Sequence, residues 1–114
     1  MTPSRRTERL YLADIRDAID KIVSYTSAGR EAFLSDPRTQ DAVLRNIEII
    51  GEAVRGVTGE TRTAHPEVPW KDMAGMRDRV IHDYFRIDVD VVWDVVSQDL
   101  PPLRDRISTL LSES

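Results

Sequence analysis

The chain has 114 residues, 40% of them hydrophobic and 32% charged, with a formal net charge of −4. That is the size and composition of one water-exposed globular domain, spanning residues 1–114, and no apolar run approaches the roughly 20 residues of a membrane span. The absence of cysteine excludes a disulfide scaffold, a thiolate zinc site and a cysteine nucleophile, and two histidines are too few for a multi-histidine metal site.

The opening stretch, Met1 to Arg9, is polar and basic, with no apolar core behind it. A cleaved signal peptide is not expected, and the expected compartment is the cytoplasm. Leu10, Leu12, Ile15, Ile19, Ile22 and Val23 then recur close to helical spacing and predict a first helix from about Arg5 to Tyr25. Ser27-Ala28-Gly29 is a break, and Arg30 to Leu34 has the length of a short turn. Asp36-Pro37 is a start signal, because Asp caps free amides and Pro suits the first helical position. Val43, Leu44, Ile47, Ile50, Ala53, Val54 and Val57 extend the second predicted helix from Pro37 to about Val57, ended by Gly59. Thr58 to Pro69 reads as the one substantial loop, and a further helix runs from Trp70 to about Tyr84. Asp88 or Asp90 caps a last helical region, which Pro101-Pro102 kinks or restarts before Leu103, Ile107, Leu110 and Leu111. No alternating strand pattern of useful length appears. The expected fold is all-α, an up-and-down bundle of four to five helices.

Chemistry concentrates in Gly75-Met76-Arg77-Asp78-Arg79-Val80-Ile81-His82-Asp83-Tyr84-Phe85. Asp78 and His82 are four residues apart, so the carboxylate is placed to orient the imidazole and favour its charged form. Arg79 and Asp83, also four apart, form a surface ion pair on the same rule. Arg77 and His82 are five apart, about 140° around an ideal helix, so spacing alone does not make them converge. They meet if the helix ends near His82, if the arginine reaches, or if a second copy of the chain completes the site.

An arginine and a histidine suffice for one reaction on RNA, which carries its own 2′-hydroxyl nucleophile. The histidine removes that proton or protonates the leaving oxygen. The arginine holds phosphate oxygens and stabilises the charge of the phosphorane. No metal or cofactor is required, and the product is a 2′,3′-cyclic phosphate. The acidic net charge confines any grip on RNA to a local pocket and a few phosphates. Against this reading stands the plain one, a helix-end histidine paired to Asp78.

Arg77-x4-His82-x-Tyr84 resembles the Arg-x4–6-His-x-Tyr signature of the HepT-like toxins, a branch of the HEPN superfamily. The blocks RNIEIIGEAV (45–54), HPEVPWKDMAGMRDRVIHDYFRID (65–88) and VWDVVSQDLPPL (92–103) resemble the family's blocks in the same order. The resemblance implies an all-α homodimer with the motif in a cleft between protomers, and metal-independent endoribonuclease activity used as a toxin. It implies Arg77 and His82 as the catalytic pair, with Asp78 tuning the site. It further implies a nucleotidyltransferase antitoxin of the MntA type, which silences the toxin by transferring AMP to Tyr84. A second reading, from another class, is a non-catalytic helical module that partners and regulates such a nucleotidyltransferase. A plain structural dimerisation domain is the third.

Other residues divide between function and structure. Glu52, in the helix expected to pack near the motif, either lines the cleft or is a solvated or salt-bridged carboxylate, and Asn46 poses the same choice. Gly51 inside a helix points to close helix packing. His65, in a Pro-rich loop, reads as structural or exposed. Trp70 and Trp93 read as core or interface anchors ahead of base-stacking platforms, and Arg45 as a surface ion pair ahead of a phosphate contact. The Arg5-Arg6-Arg9 cluster reads as a solvated start ahead of an RNA or partner contact.

Overall fold

Apolar side chains at three- and four-residue spacing fold this chain into helices throughout, as the computed structural model shows for residues 5–113. The side chains of Arg5 and Arg6, and the segment 1–4 of the expected polar start, lie outside the described residues. Four long helices carry the fold: α1 (Arg5–Tyr25), α3 (Pro37–Val54), α5 (Trp70–Asp83) and α7 (Leu100–Ser112). Three short ones join them: α2 (Arg30–Leu34), α4 (Gly59–Ala64) and α6 (Val89–Asp94). No strand forms among the described residues, and none of their helices is long and apolar enough to cross a membrane.

Packing follows the stripes read from the sequence. Leu12, Ile15, Ile19 and Ile22 of α1 are buried against Val43, Ile47, Ile50 and Val54 of α3, with Ile107 and Leu110 of α7 closing the core. Side-chain ties fix the directions. Glu8, early in α1, accepts from the Thr58 amide just past α3 (3.1 Å), so these helices run antiparallel. Arg104 pairs with Asp20, and Arg9 donates to the Leu111 carbonyl oxygen (2.8 Å), so α7 returns antiparallel along α1. α3 lies between α1 and α5. The up-and-down expectation therefore holds for the long helices.

Two boundaries differ from expectation. The second helix stops at Val54 rather than Val57, with the Arg55, Gly56 and Val57 amides turning back to Glu52, Ala53 and Val54. Gly59 begins a helix instead of ending one. Thr58 caps α4 by accepting from the Thr61 amide (3.1 Å), and Arg62 of that helix donates to the Val54 carbonyl oxygen (2.7 Å) at the open end of α3. A run of Thr and Gly looks like a loop, yet a capping threonine and a buttressing arginine suffice to order one turn and a half. At Pro101-Pro102 the last helical region restarts, one of the two expected outcomes, and it does so without an intervening loop. The prolines occupy the first turn of α7, and the turn before them, Val95–Asp99, widens to a π-helix that takes up the missing amides.

Candidate active site

Gly51 decides how closely α5 can approach α3. A methyl group there would overlap Arg77 Cβ and stand 3.1 Å from the Met73 carbonyl oxygen. The bare glycine lets the helices close, and Arg77 lands beside the next residue of α3, Glu52. Arg77 Nε forms an ion pair with Glu52 Oε1, and Nη1 lies 3.2 Å from Asp78 Oδ1. The Nε atom is buried, and its contact with Glu52 lacks the alignment of a hydrogen bond. Of the Arg77 side chain 21% stays exposed, against 50% of Glu52. The guanidinium is thus gripped on its buried edge while part of it remains open to solvent.

His82 sits in the last turn of α5, one residue before the helix ends, and is exposed. It has no hydrogen-bond or ion-pair partner among the described residues, Arg77 included. The expected Asp78–His82 pair does not form: the Asp78 carboxylate turns to Arg77. A permanently charged fork next in sequence outcompetes an imidazole one turn away. Arg79 and Asp83, expected as an ion pair, do not pair either. Both border a groove of about 230 Å³ whose apolar walls include Leu44, Ile47, Met76, Val80, Val91 and Val95.

The helix facing the motif is acidic along one stripe. Asp41, Arg45, Glu48 and Glu52 follow one another at four- and three-residue steps, which stack on one face of α3. Arg45 pairs with Glu48 (3.3 Å), as expected of a surface ion pair. Glu52 takes Arg77, and Asp41 takes Tyr84. Pairing the late residue of α3 with the early one of α5 makes these helices antiparallel.

Tyr84 opens a 3₁₀ turn, Tyr84–Arg86, immediately after α5. Its hydroxyl donates to Asp41 Oδ1 at 2.7 Å. That hydrogen bond, followed by partial burial and the nearby charges of Asp41 and Glu48, raises the phenol above the usual tyrosine range. Its ring meets Phe85 edge-on at 5.3 Å, and Phe85 is 97% exposed. Sequence reasoning missed Asp41, because the contact spans 43 residues. The acidic periodicity of α3 puts Asp41 on one face with Glu48 and Glu52 but does not name Tyr84 as its partner.

The remaining candidates are structural. Asn46 is buried and donates to the Ala42 carbonyl oxygen (2.9 Å). Trp70 is buried and donates to the His65 carbonyl oxygen (3.0 Å), while Trp93 leans on Phe33 with ring centres 5.5 Å apart. His65 is half-buried, with Nδ1 3.2 Å from Glu67. Among the described residues, no group of three or more His, Asp or Glu side chains is arranged to hold a metal ion.

The described residues form an all-α bundle that carries Arg77 and His82 on the second half of α5 and Tyr84 just beyond it, against an acidic face of α3. The profile of the family described as Ribonuclease HepT-like matches residues 15–110. A protein of Thermococcus cleftensis named as a probable ribonuclease HepT is 44% identical over 107 residues, covering 93% of this chain and 97% of that one. A protein of Caldanaerobacter subterraneus, named as an RNase by inference, is 35% identical over 109 residues, 95% of this chain and 97% of its own. One of Methanocaldococcus jannaschii, similarly named, is 39% identical over 98 residues, 85% of this chain and 81% of its own. No solved structure matches significantly. The chain belongs to the ribonuclease HepT-like family.

Proposed function

We propose that this chain is a metal-independent endoribonuclease toxin that acts as a homodimer in the cytoplasm, silenced when a nucleotidyltransferase antitoxin of the MntA type adenylylates Tyr84. The observation that carries the reading is the state of the two candidate catalytic side chains. Arg77 is held by carboxylates yet partly open, and His82 is exposed with its ring nitrogens unengaged. His82 takes the proton of the RNA 2′-hydroxyl, or returns one to the leaving 5′-oxygen. Arg77 stabilises the phosphorane, and the products end in a 2′,3′-cyclic phosphate and a 5′-hydroxyl. Asp78 and Glu52 support the site through their grip on Arg77. Family membership, and the names of the relatives, support ribonuclease activity.

Two features support the homodimer. No hydrogen bond joins Arg77 and His82 within one chain, which favours a site completed by a second copy. Ile81, Phe85 and Val91 are exposed, and Val91 lines the apolar groove, the kind of surface that association removes from water. The acidic stripe of α3, with Asp78 and Asp83 on α5, favours the second reading, a non-catalytic module that partners the nucleotidyltransferase, since these charges repel RNA.

Expression in cells separates the readings. Wild-type chain is toxic without the antitoxin and gains AMP when co-expressed with it, seen by intact mass. His82→Ala loses toxicity while staying folded, and Tyr84→Phe loses the added mass. Full toxicity in a folded His82→Ala chain removes His82 from the mechanism, and full AMP addition in Tyr84→Phe removes Tyr84.

A further inference from the structure

The fold brings the Tyr84 hydroxyl to a carboxylate that neither the motif nor the proposed ribonuclease chemistry uses. We propose that Asp41 is the positioning residue and proton acceptor for modification of Tyr84, aiming its oxygen at the α-phosphorus of a nucleoside triphosphate held by the transferase. This rests on the reading of Tyr84 as the adenylylated residue. In the step, the Tyr84 oxygen bonds to the α-phosphorus and the bond from that phosphorus to the bridging oxygen breaks. Pyrophosphate leaves with the electron pair, and the phenolic proton passes along the existing hydrogen bond to Asp41 Oδ1.

The geometry singles out this tyrosine. Tyr25 is about as exposed as Tyr84, 45% against 40%, yet its hydroxyl meets no carboxylate among the described residues. Tyr84 Oη lies 2.7 Å from Asp41 Oδ1, within the reach a general base needs. Tyr84 stands on the short turn beyond α5, where a second protein can approach it, whereas Asp41 is anchored in α3. A tyrosine phenol is protonated at neutral pH, and the Asp41 carboxylate raises this one further, so the oxygen requires an acceptor at the moment it attacks.

The test follows AMP transfer from ATP by the proposed nucleotidyltransferase, timed by intact mass, for wild type, Asp41→Asn, Asp41→Glu and Tyr84→Phe. Circular dichroism checks that each variant is folded. Asp41→Asn lowers kcat for transfer by about 10²-fold or more, the range of a lost general base, and leaves KM for the chain unchanged. Asp41→Glu recovers part of the rate. An unchanged rate in folded Asp41→Asn overturns the role of Asp41 while leaving Tyr84 as the modified residue. A wild-type chain that takes no AMP, or a Tyr84→Phe chain that takes as much, overturns both.

Discussion

Arginine is a permanent cation, so what the fold controls at position 77 is where the side chain points. Glu52 and Asp78 hold it from two sides, and the buried Nε edge faces Glu52. Removing Glu52 frees the guanidinium to move, and loose placement of a transition-state contact lowers kcat more than it weakens binding. Glu52→Ala is expected to lower kcat for RNA cleavage about tenfold or more, with KM little changed and the bundle intact. Steady-state kinetics with a defined RNA checks this; an unchanged kcat removes Glu52 from the site. The motif residues Arg77, His82 and Tyr84 were legible in the sequence because they share one short segment. The partner of Asp78 was not. Spacing of four residues states which side chains are neighbours, but not which neighbour wins the carboxylate. Asp41 was out of reach for another reason, since only the antiparallel packing of α3 on α5 brings it to Tyr84.

α3 and α5 form the working element, and Gly51 sets the distance between them. Its substitution acts on stability and chemistry together, because the atom it would strike is Arg77 Cβ. Gly51→Val is expected to cost about 1–3 kcal/mol, the range of overpacking, and to lower the melting temperature by about 4 °C or more. RNA cleavage falls with it even at temperatures where the variant is folded. Thermal melts and activity on one preparation measure both, and full activity at an unchanged melting temperature contradicts the role given to this glycine. Helix periodicity made α1, α3 and α5 readable to within a few residues, since long apolar stripes dominate their burial. α4 and the π turn before α7 were not readable. The first depends on Arg62 and Glu8 reaching across to other elements, and the second on how a continuous helix accommodates Pro101 and Pro102.

The whole molecule is acidic, and its acidic stripe faces the segment proposed to cut RNA. Such a surface does not gather RNA over long distances, so affinity has to come from a few phosphate contacts near Arg77. No hydrogen bond joins Arg77 to His82 within one chain, and it is the proposed homodimer that supplies each arginine with a histidine from the second copy. The central claim is that these two side chains cut RNA without a metal. The measurement that meets it most directly is cleavage of RNA in EDTA by protein of confirmed unmodified mass, with Arg77→Ala and His82→Ala beside it and the ends of the products mapped. Cleavage that persists in EDTA, leaves 2′,3′-cyclic phosphate ends and disappears in both folded variants is the predicted result. Cleavage abolished by EDTA, or retained at the wild-type rate in either variant, contradicts it.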